Sequence, residues 1–414
     1  MLKYSKIRKV LDIENMNGNA EDLAFFTHYL HNHTNGVSKS FKKRAVEYYN
    51  QQNNNLSIAS EPELQAMLPI NWDIPFPSPK NPEFTFIDLF AGIGGFRIPM
   101  QEIGGKCVFS SEFNYHAQRA YELNFGEVPF GDITKLDLNV VPKHNILCAG
   151  FPCQPFSISG KMKGFEDTRG TLIYHVFKII EKREPEVVLL ENVKHLLYHD
   201  KKRTLTTIIQ HLEELGYKVS KKVLNASDFG VPQNRERIII VGHKNKKFDF
   251  SKLKIKPKPV LKTFLDKEND FEFLEEPYTI LEDMKTQDSG LIFAGYRNKT
   301  IRKAGVRPNT EHLSRVHKQP NRIYSTDGVH PALPSQESSG RFWIYHENEV
   351  RKLTIQECYK IMGFPKKFKL INNKSELYRQ VGNSVAVPMI KEVATQIKKQ
   401  LITSIKIKDA EYIS

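Results

Sequence analysis

Between Glu83 and Gly95 the chain reads Glu-Phe-Thr-Phe-Ile-Asp-Leu-Phe and then Ala-Gly-Ile-Gly-Gly, an apolar run that stops in a glycine turn. A mostly apolar run of this length, with Thr85 and Asp88 within it, reads as a buried strand. After the turn, Phe96 to Ile103 reads as a helix, and Cys107-Val-Phe-Ser-Ser-Glu112 as a second strand. That strand ends in an acid roughly 20 residues beyond the turn. Strand, glycine turn, helix and strand open a nucleoside-binding α/β unit: the glycines allow close backbone approach, and the carboxylate takes ribose hydroxyls. The spacing is not GxGxxG, which favours a ligand without a pyrophosphate.

The rhythm continues downstream. Phe130-Gly-Asp-Ile133 reads as the end of a third strand, with Asp132 either a turn residue or a contact to a base edge. Ile146-Leu-Cys-Ala-Gly150 reads as a fourth strand that Pro152 and Pro155 prevent from continuing. Cys153 therefore falls on a stiff turn at a strand end, the edge where open α/β sheets bind ligands. Isolated cysteines are commonly buried and structural; this location argues instead for a nucleophile. Ser157 to Gly170, with Lys161 and Lys163, offers little to a core and reads as a long loop, a feature uncommon without a function. A helix from Thr171 to Lys182 leads to the strand Val187–Val193, which puts Glu191 on the same edge as Cys153. A helix (Thr204 to Leu215), a strand (Tyr217 to Leu224) and the stretch Asp228–Gly242 complete the sheet. Arg235 and Arg237, two residues apart in extended backbone, share a face. They suit a salt bridge or a ligand equally.

Around this unit the character changes. Residues 1–68 show two helical stretches, Ala20–Leu30 and Ser40–Tyr49, compatible with a small helix-turn-helix or with a plain packing extension. Pro69, Pro75, Pro77, Pro79 and Pro82 then mark an extended linker. From Phe248 to about Tyr345 the sequence is irregular and basic, with Arg297, Lys299, Arg302, Lys303, Arg307, Arg315, Lys318, Arg322 and Arg341 among Tyr296, Tyr324 and Phe342. This reads as a second domain facing a nucleic acid, or as a lysine-rich insertion without a ligand. Gly382-Asn-Ser384 is a polar turn ahead of a long amphipathic helix. The expected division is 1–80 (helical extension and linker), 81–247 (catalytic), 248–345 (recognition) and 346–414 (return to the catalytic part). Over 414 residues, 61 Lys+Arg against 47 Asp+Glu leave a net charge of +14, which fits a polyanionic partner or a solvated basic surface. The four cysteines have no disulfide or metal-ligand spacing, and no apolar run suggests a signal peptide or membrane span. A metal-free cytoplasmic protein is expected.

Taken together, Phe86-Ile-Asp-Leu-Phe-Ala-Gly-Ile-Gly-Gly-Phe-Arg97, Gly150-Phe-Pro-Cys-Gln-Pro-Phe-Ser157, Glu191-Asn-Val193, Gln233-Asn-Arg-Glu-Arg237 and Gly382-Asn-Ser384 resemble the DNA (cytosine-5)-methyltransferases, especially the bacterial restriction-modification type. The resemblance covers about residues 84–247 and 351–400. It implies a Rossmann-like α/β methyltransferase domain with a mostly parallel sheet, a smaller irregular target-recognition domain and a helical N-terminal extension. It implies S-adenosylmethionine as methyl donor, with S-adenosylhomocysteine as product. The implied partner is double-stranded DNA, and the implied setting is a monomer in a prokaryotic cytoplasm, alongside a cognate restriction endonuclease that acts on the same site without necessarily touching it. By the same resemblance Cys153 attacks C6 of a flipped cytosine, Glu191 serves N3, and Arg237 with Arg235 serves O2. Phe90, Ile93, Gly95, Glu112, Phe113, Asp132, Ile133, Pro152, Leu172, Asn383, Ser384 and Val385 line the cofactor site. Glu112 holds the ribose, Asp132 the adenine amino group, and Phe90 and Phe113 the adenine faces. The loop bearing Ser157, Ser159, Lys161 and Lys163 meets the DNA. One departure is Ala332-Leu333, where the family usually carries Thr-Leu. Two other activities share these motifs: methylation of cytosine in tRNA, and DNA-binding regulation on a methyltransferase scaffold.

Overall fold

The central strands of the larger sheet are apolar because helices cover both of its faces. The computed structural model describes residues 2–13, 20–33, 37, 39–52, 70–152, 172–268, 270–299, 310 and 312–402. Strand β1 (Phe84–Leu89) is followed by the glycine turn and helix α4 (Arg97–Glu102), and then by β2 (Gly105–Ser111), buried throughout. Helix α5 (Tyr115–Phe125) starts where the Asn114 side chain accepts the Ala117 N–H and stops at Gly126, whose φ of 67° is the left-handed conformation glycine adopts without strain. Next come β3 (Ile146–Gly150), α6 (Leu172–Arg183), β4 (Val187–Val193), α7 (Arg203–Glu214), β5 (Lys218–Asn225), the short β6 (Gln233–Asn234) and β7 (Glu236–His243).

The sheet order is β2-β1-β3-β4-β7-β5. Neighbours from β2 to β4 are parallel, while β7 runs antiparallel to both β4 and β5. The expected mostly parallel sheet is therefore present. Phe130 forms only an isolated bridge to Ser111 and is followed by a single 3-10 turn, so the expected strand there does not form. Asp132 accounts for this: its carboxylate accepts the Thr134 N–H and hydroxyl, turning the chain where a strand would have continued.

One face of the sheet buries Ile87, Leu89, Leu147 and Leu190 against α6, α7 and the N-terminal helices α1 (Tyr4–Val10), α2 (Ala20–Asn32) and α3 (Lys39–Gln52). The other buries Phe84, Phe86, Cys148 and Leu189 against helix α10 (Val387–Gln400). The N-terminal helices thus share a core with the sheet. The proline-rich stretch after them is also anchored: Trp72 stacks on His31 and Tyr4, and Phe76 is buried.

The basic region, read as irregular, contains a five-stranded sheet of β8 (Tyr278–Ile280), β9 (Phe293–Arg297), β10 (Arg322–Ser325), β12 (Trp343–His346) and β13 (Glu349–Lys352), in the order β13-β12-β10-β9-β8. It runs past residue 345 to Lys352. A two-residue strand β11 (His330–Pro331) pairs with β6 and so joins this region to the Gln233–Arg237 segment. Helices α8 (Ile355–Ile361), held by a Thr354–Glu357 capping box, and α9 (Lys374–Asn383) lead back to α10. Among the described residues no helix is long and apolar enough to cross a membrane.

Candidate active site

The carboxyl ends of β1 to β4 open into a cleft of ≈ 860 Å³. The size suits a small-molecule ligand. Its walls include Phe90, Ile93, Glu112, Phe113, Asp132, Ile133, Pro152, Leu172, Asn383 and Ser384, and in the same cleft stand Glu191 and Arg237. Gly95 and Val385 are not on its wall: a Cβ at Gly95 would lie 2.8 Å from Val385 Cγ2 and 2.6 Å from Ser384 Oγ. Glycine is needed there to let the turn after β1 press against the 384–385 backbone. Phe90 opens that turn with φ 55°, a strained conformation for a residue with a side chain, of the kind that clusters at ligand sites.

Glu112 faces the cleft from the end of β2. Its carboxylate accepts the Gly92 N–H at 2.8 Å and the Asn114 N–H at 2.7 Å, so it is locked in orientation with lone pairs to spare for a ligand's hydroxyls. Burial raises its pKa, partly offset by these backbone donors. Phe113, beside it, is 78% exposed, an aromatic ring offered to the cleft rather than to a core. The Asp132 carboxyl is held below its usual range by the Thr134 N–H and stays ionised. An ionised acceptor, an exposed ring and a fixed carboxylate around one cleft fit an adenosine-bearing ligand.

The register Gly150↔Glu191 brings the end of β3 beside the Glu191 carboxyl of β4. Arg237, on the neighbouring β7, sets its Nε 2.9 Å from Glu191 Oε1. Burial raises the Glu191 pKa, and the attraction of Arg237 and then Arg235 recovers only part of it. Asn192 had no role assigned from the sequence although it stands in the Glu191-Asn-Val193 motif; its Nδ2 donates to the Phe151 carbonyl at 2.8 Å and fixes the backbone just ahead of Pro152. Cys153, Ser157, Ser159, Lys161 and Lys163 lie outside the described residues, as do Arg302, Lys303 and Arg307. The other three cysteines, Cys107, Cys148 and Cys358, are buried, and burial pushes each thiol up. None of those three is poised to act as a thiolate.

Arg235 is placed differently from Arg237. Its guanidinium is buried and donates to the carbonyls of Leu333 (3.2 Å), Gly382 (2.7 Å) and Ser384 (2.6 Å). It clips Leu333 and the Gly382-Asn383-Ser384 turn onto the Gln233–Arg237 segment, and it is absent from the cleft wall. The Ala332 departure sits beside this clip. The pairing of β6 with β11 and the Leu333 N–H to Gln233 Oε1 bond (3.3 Å) hold that segment through backbone groups.

Comparison with known proteins gives a consistent result. The family model described as C-5 cytosine-specific DNA methylase matches residues 84–399. The chain is 44% identical over 327 residues to type II methyltransferase M.DsaV of Dactylococcopsis salina, covering 76% of this chain and 86% of that protein. It is 40% identical over 328 residues to type II methyltransferase M.HhaI of Haemophilus parahaemolyticus, covering 76% and 94%. Among solved structures, the S. pombe Dnmt2 methyltransferase shares the fold, with a TM-score of 0.56 at 19% identity over 76% of this chain and 99% of that one.

Proposed function

The chain belongs to the C-5 cytosine-specific DNA methylases, and from that premise we propose that Cys153, Glu191 and Arg237 carry the reaction at the cleft edge of the large sheet. The enzyme methylates C5 of cytosine in DNA with S-adenosylmethionine as donor. The observation that carries the residue assignment is the buried Glu191–Arg237 pair at 2.9 Å, on the strand next to the one that leads into Pro152 and Cys153.

Cytosine C5 is a weak nucleophile, and a thiolate adding to C6 makes it enamine-like. Cys153 supplies that thiolate. The displaced electron density moves toward N3 and O2, so a proton at N3 and a cation at O2 stabilise the transition state. Glu191, its pKa raised by burial, holds the proton for N3, and the adjacent Arg237 guanidinium serves O2. When bound, S-adenosylmethionine supplies an electrophilic sulfonium methyl. After the methyl transfer, loss of the C5 proton restores the double bond and expels Cys153. A base inside a duplex cannot reach Cys153, so the target is flipped out, with Ser157, Ser159, Lys161 and Lys163 contacting the opened strand. Phe90, Phe113, Glu112 and Asp132 hold the adenosine of the donor, and Ile93, Ile133, Pro152, Leu172, Asn383 and Ser384 enclose it. Gly95 and Val385 support that enclosure from behind, and Arg235 positions Asn383 and Ser384. The sheet from β8 to β13 reads the DNA sequence. Since M.DsaV and M.HhaI are type II methyltransferases, we read this protein as the modification enzyme of such a system, acting as a monomer in the cytoplasm on the site of a companion endonuclease.

The test is to express the wild type and Cys153→Ala in cells carrying a plasmid and to map 5-methylcytosine by bisulfite sequencing. The wild type marks one recognition sequence; the variant marks nothing, yet its purified form binds DNA containing that sequence. Methylation by the variant overturns the nucleophile, and a soluble wild type that leaves no mark overturns the DNA substrate.

A further inference from the structure

Helix α2 lies ahead of the family-matched residues 84–399, yet it is bonded to the segment that forms one wall of the cleft. The Thr27 hydroxyl accepts the Val128 N–H at 3.0 Å while donating to the Leu23 carbonyl at 2.9 Å. His31 is buried, and burial lowers its pKa to about 3, so the ring is neutral and its Nε2–H donates to the Gly126 carbonyl at 3.1 Å. Phe25 meets the Phe130 ring edge-on at 4.9 Å. From the opposite side β2 holds the same segment through Phe130 N–H to Ser110 O (2.9 Å), Glu112 N–H to Phe130 O (2.7 Å) and Ser111 Oγ to Gly131 O (2.8 Å). Immediately beyond come Gly131, Asp132, Ile133 and Thr134, all on the cleft wall.

This wall has no strand of its own. Phe130 makes one isolated bridge, so the height and direction of residues 131–134 depend on contacts to the segment before them, several supplied by α2 and the rest by β2, α4 and α5. A binding group must be held to within about half an ångström to be effective. We propose that α2 is a positioning element of the cofactor cleft: Thr27, His31 and Phe25 fix the segment from Gly126 to Phe130 and thereby set the affinity for the adenosine half of the methyl donor. The inference rests on reading this cleft as the cofactor site. The N-terminal helices are then a working part of the enzyme, and by reciprocity an occupied cleft tightens the docking of α2.

Thr27→Val keeps the side chain's shape but leaves the buried Val128 N–H without its acceptor. Titration calorimetry with S-adenosylhomocysteine is expected to show a Kd raised roughly five- to tenfold, with KM for the donor rising in parallel. kcat at saturating donor and the affinity for DNA stay unchanged, and Thr27→Ser restores the wild-type Kd. Asp132→Ala serves as the reference. If it leaves the Kd unchanged, the cofactor reading of this wall fails; if it weakens binding while Thr27→Val lowers only Tm, the positioning role of α2 is overturned. Should Thr27→Val not fold, hydrogen exchange on the wild type decides. S-adenosylhomocysteine is expected to slow exchange in Val128–Thr134 and in α2 together, relative to β9 and β10, and slowing confined to Val128–Thr134 overturns the proposal.

Discussion

The surroundings of the cleft and the small sheet solve different problems. Around the cleft, charged groups are buried and fastened: Arg97 and Glu127, both fully buried, meet at 2.7 Å, Arg235 is tied to three carbonyls, and Glu191 faces Arg237. One face of the small sheet buries only Ala294, Ile323 and Val350, with Leu274, Ile280, Met284, Trp343 and Tyr345 partly covered, while Ile344 packs into a neighbouring core. Along β9 its charges pair near the surface, as in Arg297 and Lys299 with Glu276, and one buried pair, Arg351 with Glu357 at 2.7 Å, ties β13 to α8. Chemistry needs fixed distances, which buried polar networks supply. If the small sheet reads the duplex as proposed, side chains that reach outward from a polar surface suit that task.

The sharpest contrast comes from Glu191→Gln. It is expected to lower the methylation rate by about 10²- to 10⁴-fold while leaving DNA binding intact, measured by single-turnover methylation and by gel shift. Because the folded Glu191 pKa is raised, the folded state holds that proton more tightly than the unfolded chain. Its contribution to stability is therefore full below the ordinary carboxylate value and is lost as pH rises through the raised one. The stability of the wild type relative to Glu191→Gln should fall as pH rises through the raised value; a relative stability that rises instead contradicts it.

Next in size is Glu127→Gln. Burial alone would raise the Glu127 carboxyl, but the Arg97 guanidinium together with His28, His31 and the Ser110 hydroxyl outweighs it and brings the pKa from 4.5 to about 2. Breaking this pair strands a buried cation, a loss of about 3–5 kcal/mol in urea unfolding at neutral pH. The sign is opposite to that of Glu191: the stabilisation is present above the ordinary carboxylate value and disappears as pH falls through about 2. A neutral effect would mean that the network around the cleft is as dispensable as the surface pairs of the small sheet.

The smallest effect is expected from Gly295→Ala. A Cβ there would sit 2.0 Å from the Thr279 carbonyl, so β8 must shift from β9, at a cost of about 1–3 kcal/mol. DNA affinity should fall while the Kd for S-adenosylhomocysteine holds. A parallel loss of both would show that the two regions are not energetically separate.

The strands from β1 to β4 and the Glu191 edge were legible because buried strands are written as mostly apolar runs, with glycine or proline closing β1 and β3. Phe130 carried the same apolar signal, yet the Asp132 turn outcompeted strand pairing. The small sheet escaped notice because its strands are three to five residues long and half-exposed, so no period accumulates. The two arginines of Gln233-Asn-Arg-Glu-Arg237 look alike in sequence. Only the fold brings the carbonyls of Leu333, Gly382 and Ser384 to Arg235 and leaves Arg237 for the cleft. The docking of α2 depends on partners about a hundred residues away, such as Thr27 and Val128, which local pattern cannot pair.

The two margins of the six-stranded sheet are closed by unlike means. Along β2, Asn32 Nδ2 donates to the Val108 carbonyl at 3.3 Å and His28 Nε2 accepts the Ser110 N–H at 3.1 Å, so α2 lies over the margin and occupies its hydrogen-bonding groups. β5 instead turns Lys218, Lys221 and Lys222 to solvent. A bare strand margin is a template on which another chain can add, and exposed lysines repel such an addition. The order of synthesis matches this division: α2 leaves the ribosome before the lysine-poor margin it covers, whereas the lysine-lined margin emerges after both and guards itself against aggregation while the rest of the chain is being made.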